Sequence, residues 1–123
     1  MRKLFKLTIV GALLSMNTFV FASESSHFKG GKVENLSEAV QAFSEQNKKF
    51  AAIIEKGSIE LKEMGDIHQM TYSMENALRK IKAEVAEMEV LLEEVHEASE
   101  HGEKQKVLKE GQKYLEKAQT LVP

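Results

Sequence analysis

The chain has 123 residues, with 17 Lys and Arg against 19 Asp and Glu, four histidines, one proline and no cysteine or tryptophan. The missing cysteines exclude disulfides, thiolate metal sites, cysteine nucleophiles and covalently attached c-type haem. The net charge of −2 is on the wrong side of zero for a nucleic-acid or anionic-lipid partner, whose phosphates an acidic chain repels.

Residues 1–22 read as a signal peptide. Arg2, Lys3 and Lys6 form a positive start, and Leu7 to Phe21 is mostly apolar. Val20-Phe21-Ala22 then places small residues where a signal peptidase reads them, so the mature chain is expected to begin at Ser23. An uncleaved anchor is the alternative, but the apolar run falls short of the ~20 residues of a spanning helix. Cleavage leaves about 101 residues and a net charge of about −5. That length suits one periplasmic domain with no stable membrane insertion.

Residues 23–35 read as a flexible lead containing the Gly30-Gly31 pair, with Phe28 and Val33 as its large apolar residues. The first helix is predicted from about Leu36 to Lys56. Asn35 suits the N-cap, Glu38 completes a capping box and Gly57 ends the helix. Its apolar seam is Leu36, Val40, Phe43, Asn47, Phe50 and Ile54, widened by Ala39 and Ile53. Asn47 within that seam reads as a register-setting amide.

The long helix is predicted over residues 58–100, capped by Ser58 and either straight or kinked at Gly65-Asp66. Two columns of seven-residue period are assigned to its seam. One is Ile67, Met74, Ile81, Met88 and Val95; the other is Thr71, Leu78, Val85, Leu92 and Ser99. A third column, Met70, Ala77, Leu91 and Ala98, is broken by Glu84. Gly102 ends the helix, and a last helix follows over about 104–121. Its seam is expected to hold Leu108, Gly111, Leu115, Ala118 and Val122, with Val107, Tyr114 and Leu121 beside it and Gly111 allowing close backbone approach. Short connections make neighbouring helices antiparallel. The expected fold is therefore all-α: an antiparallel three-helix bundle of coiled-coil-like hairpins on one long central helix. Two short helices cannot cover all of the long one, so its seam is expected to take a protein partner or form a homodimer.

Two clusters have side chains suited to chemistry. Glu93, His96, Glu97, Glu100 and His101 stand three and four residues apart, a spacing that suits chelation of zinc or copper. Glu93-x-x-His96 has the form of half a di-iron motif, but no second copy exists. A solvated helix end gives the same pattern. Met64, His68, Met70 and Met74 offer thioether and imidazole ligands for copper or haem iron, although Met64/His68 and Met70/Met74 lie on different sides. No nucleophile elbow, phosphate loop or His-Glu-x-x-His motif is present, so no enzyme and no resident cofactor are expected. A metal or haem carrier is the alternative to an interaction protein.

The stretches Ile67-His68-Gln69-Met70-Thr71-Tyr72, Glu75-Asn76-Ala77-Leu78, His27-Phe28-Lys29-Gly30 and Val95-His96-Glu97-Ala98-Ser99-Glu100 resemble a family. It consists of small exported helical proteins of Gram-negative bacteria catalogued as a domain of unknown function. The resemblance implies a periplasmic helical protein and carries no activity or cofactor. It singles out His68, Gln69, Tyr72 and His96 as polar residues that packing alone does not explain.

Overall fold

The computed structural model describes residues 28–123. The expected signal peptide, its cleavage point and His27 lie outside the described residues. Three helices, α1 (Leu36–Glu55), α2 (Leu61–Glu100) and α3 (Lys104–Leu121), form an all-α fold around the 40-residue α2.

The helix ends follow local chemistry. Asn35 Oδ1 accepts the Glu38 N–H at 2.9 Å, and Glu38 reaches back to accept from the Glu34 N–H at 2.8 Å. Gly57 and Gly102 take φ of +70°, which lets the chain leave α1 and α2 in a conformation unfavourable to other residues. The start of α2 differs from expectation: residues 58–60 are not helical and Ser58 is not its cap. Instead the Glu60 N–H donates to Glu63 at 2.9 Å, and Glu63 is held by Lys56 from across the turn. Two interactions fixing Glu63 outweigh one serine cap. From there α2 runs without interruption through Gly65 and Asp66.

Both short helices run antiparallel to α2. The end of α1, at Ala52 and Ile53, shares a cleft with Gln69 and Met70, whereas Leu36 at its start lies with Glu84 and Leu91. Lys117 near the end of α3 reaches Glu84 and Glu87, and Gly111 lies beside Val95. Thus α1 covers α2 from about Gln69 to Leu91 and α3 the C-terminal half, the two covers overlapping near Glu84–Leu91. The two meet only in the middle, where Ser37, Val40 and Ser44 come up to Thr120.

The buried face of α2 takes two of the three expected columns, the first and the third, and is centred on the third. Ala77, Glu84 and Ala98 are buried and Met70 and Leu91 half-buried, so the third column, with Glu84 in it, is the centre. Ile67, Met74, Ile81, Met88 and Val95 flank it, half-buried. Leu78 and Leu92 from the second expected seam column are 47% and 49% exposed. A like shift occurs on α3: Leu108, Leu115 and Val122 of the expected seam are exposed, Gly111 and Ala118 stay half-buried, and Glu110 and Lys117 turn inward with Val107, Tyr114 and Leu121, the residues expected beside it. The cause is a charge pair. Glu84, 6% exposed, takes the Lys80 ammonium at 2.6 Å and that of Lys117 from α3, and this pairing makes a carboxylate admissible at the centre of the face. On α1 the expected seam holds except at its end: Leu36 and Ala39 are buried, Phe43, Asn47 and Phe50 half-buried, and Ile54 exposed.

Gly111 was expected to bring two backbones together, but its nearest neighbour would be the Val95 Cγ2 atom, 3.9 Å from an added Cβ. Gly65 would meet nothing within 4 Å. Both cost helix stability without a compensating contact. Gly65→Ala and Gly111→Ala should therefore each raise the free energy of unfolding by about 0.5–1 kcal/mol in urea titrations. A loss at Gly111 would show that α2 and α3 pack more tightly there.

Candidate functional site

Three features combine side chains in ways that packing alone does not require. The first is the charged centre. Lys117, then Lys80, hold the Glu84 carboxyl below the usual glutamate range against the opposing effect of burial. Glu84, then Glu87, hold the Lys117 ammonium above the usual lysine range. Two turns back along α3 from Lys117, the carboxyl of Glu110, 5% exposed, is held below the usual glutamate range by Lys113 at 2.8 Å and then Lys109 at 3.2 Å. Glu84, Glu87, Lys113 and Lys117 border an open cleft of about 640 Å³ between the start of α1, the middle of α2 and the end of α3, with Leu36, Val90 and Leu91 as its apolar wall. The sequence reading missed the cleft. The signal available was Glu84, the single charged break in an otherwise apolar column.

The second is the strap of residues 28–34, which has neither helix nor strand but is tied to α2. The Gly31 N–H donates to Ser73 Oγ at 2.9 Å, and Asn76 Nδ2 donates to the Lys29 and Gly31 carbonyls at 2.8 and 3.2 Å. Arg79 donates to Asn76 Oδ1 at 3.0 Å, which fixes which end of the amide faces the strap. Gly30, at φ +77°, presses on the backbone of Tyr72 and Ser73. Phe28 joins Gln69, Met70, Ser73 and Ile53 around a second cleft of about 540 Å³. Gln69, Met70 and Tyr72 therefore belong to the seat of the strap. His68 stands edge-on to Tyr72, with ring centroids 5.1 Å apart. Ser73 and Asn76, which make the hydrogen bonds, were not singled out in the sequence.

The third is the outer line of α2, in which exposed Leu78 and Leu92 flank half-buried Val85 at intervals of seven residues. It is solvent-facing apolar surface on a regular helix.

The expected ligand clusters are not gathered. His96 Nε2 lies 3.3 Å from Glu100, while His101 Nδ1 lies 2.8 Å from the Glu97 carbonyl oxygen and so donates to backbone. Glu93 is exposed on the same helix end. Met64 and His68 are exposed and Met70 and Met74 half-buried, which keeps the two pairs on different sides. Among the described residues no three His, Cys, Asp or Glu are placed to hold one metal ion. No described helix is long and apolar enough to cross a membrane.

No curated protein and no solved structure matches the chain. A family model does match, over residues 1–123, and by that match the chain belongs to the family of unknown function DUF6746.

Proposed function

We propose that this protein is an exported, non-catalytic helical binding protein of a Gram-negative periplasm. It engages a protein partner through the face of α2 that α1 and α3 leave open. The observation that carries this reading is the line Leu78, Val85 and Leu92. Two of its three large apolar side chains are about half exposed at seven-residue spacing along a regular 40-residue helix. Export is supported by the positive start, apolar run and small residues of 1–22. The carrier alternative draws no support from the placement of the Glu93–His101 or Met64–Met74 side chains.

The experiment is native mass spectrometry of untagged protein from a periplasmic extract prepared without chelators. The expected species is the chain 23–123 held in a complex that Leu92→Glu disperses while the helical circular dichroism stays unchanged. A complex indifferent to Leu92→Glu, or a chain that keeps residues 1–22, would overturn the reading in the corresponding part.

A further inference from the structure

The exposed line on α2 has a symmetry that names its occupant. Leu78 and Leu92 are each seven residues from Val85. If a second α2 is laid antiparallel with the two-fold axis at Val85, Leu78 meets the partner's Leu92 and Val85 meets the partner's Val85. On one side of this line run Lys82 and Glu89, both exposed and both without an ion-pair partner among the described residues. A two-fold axis perpendicular to the helices keeps each flank facing the same flank of the other copy. Lys82 and the partner's Glu89 then differ in height by one residue, about 1.5 Å, and Glu89 faces the partner's Lys82 equally. On the other side, Ile81 meets the partner's Met88 in the same way. A parallel pairing would set Lys82 and Glu89 against the partner's Ile81 and Met88, charge against hydrocarbon.

We infer that the occupant is a second copy of this chain, docked α2 to α2 in antiparallel register about Val85. The inference rests on the proposed use of this face and deepens it. About 31 residues of each α2, from 70 to 100, would overlap, roughly 46 Å of helix. That length is ample for a two-stranded seam. The line on α3, Leu108, Leu115 and Val122, has no comparable pairing of opposite charges beside it.

The absence of cysteine makes the register directly testable. In the full mature protein, Val85→Cys should form a disulfide-linked dimer under mild oxidation. Leu78→Cys should not link to itself, because the two copies would stand about 21 Å apart along the seam. Mixed with Leu92→Cys it should give the linked heterodimer. Lys82→Glu and Glu89→Lys should each weaken the dimer about fivefold in sedimentation equilibrium, because each creates two like-charge contacts. The double exchange should restore it. Self-linking at Leu78→Cys would overturn the register. A Val85→Cys chain that stays monomeric would overturn the second copy as occupant. If that monomer still entered a complex with a different protein that Leu92→Glu disperses, the inference would fail while the proposed function stood. A monomer in both assays would remove both.

Discussion

Lys117→Ala should lower the free energy of unfolding at pH 7 by about 2 kcal/mol, well beyond the effect of removing a surface lysine. The lysine spans two helices, donating to Glu84 and, at 2.9 Å, to Glu87. Without it Glu84 keeps only Lys80 to offset its burial. Replacing the pair together, Glu84→Leu with Lys117→Met, should behave in the opposite sense, neutral or gaining about 1 kcal/mol, because it completes the apolar column Met70, Ala77, Leu91 and Ala98 and strands neither member of that pair. The two variants separate a requirement for the charge from a requirement for burial. The pH dependence follows from the directions of the shifts. Glu84 is held below its unfolded range, so its contribution is complete above that range and disappears as pH falls through the lowered folded value. Lys117 is held above its unfolded range, so its contribution is complete below that range and disappears as pH rises through the raised value. Urea titrations should show the Lys117→Ala deficit in full near neutrality and a smaller deficit near pH 3. A deficit that grew on acidification would contradict the assignment.

Gly30→Ala should free the strap without unfolding the helices. An added Cβ would sit 2.7 Å from the Tyr72 carbonyl carbon and 2.8 Å from the Ser73 nitrogen, both backbone atoms that cannot swing aside. The residue would also have to hold φ at +77°. The expected cost is about 1–3 kcal/mol, confined to the strap and its seat. Hydrogen exchange should show loss of protection at the Gly31 amide, whose acceptor is Ser73 Oγ, and proteolysis within 28–34 should quicken. Amides of α3 and the C-terminal half of α2 should not change. A Gly31 amide that stayed protected would mean the strap is held by something other than the Gly30 fit.

Three helix ends were legible in the sequence from local signals, whereas the start of α2 was not, because the Glu63 contacts to Lys56 and the Glu60 N–H displaced the Ser58 cap. Asn35, Gly57 and Gly102 act on their own turns, and each does what its residue type and position imply. The choice of face was not legible, because it depends on a contact 33 residues away along the chain. With Glu84 read only as a break in its column, the two unbroken seven-residue series, through Ile81 and through Val85, define the expected seam. The strap has the same difficulty. Gly30-Gly31 announces a backbone needing freedom, but its partners Ser73 and Asn76 lie 42 to 47 residues on. Ser73 and Asn76 are small polar residues with no motif of their own. Tyr72 was flagged only through the family resemblance, and it turns out to supply backbone against which Gly30 rests.

The division of α2 between its two covers has a consequence for how the molecule opens. Each short helix pairs with its own stretch of α2, overlapping the other only between Glu84 and Leu91, so the fold is two hairpins spliced through one shared rod. Fraying at Ile59 and Leu61 has no direct contact through which to loosen Ala98, and opening at Gly102 leaves the seat of Phe28 intact. Only at the crossing near Leu36, Glu84, Lys117 and Thr120 does a change in one hairpin touch the other. That crossing is where two locally stable units become one cooperative unit.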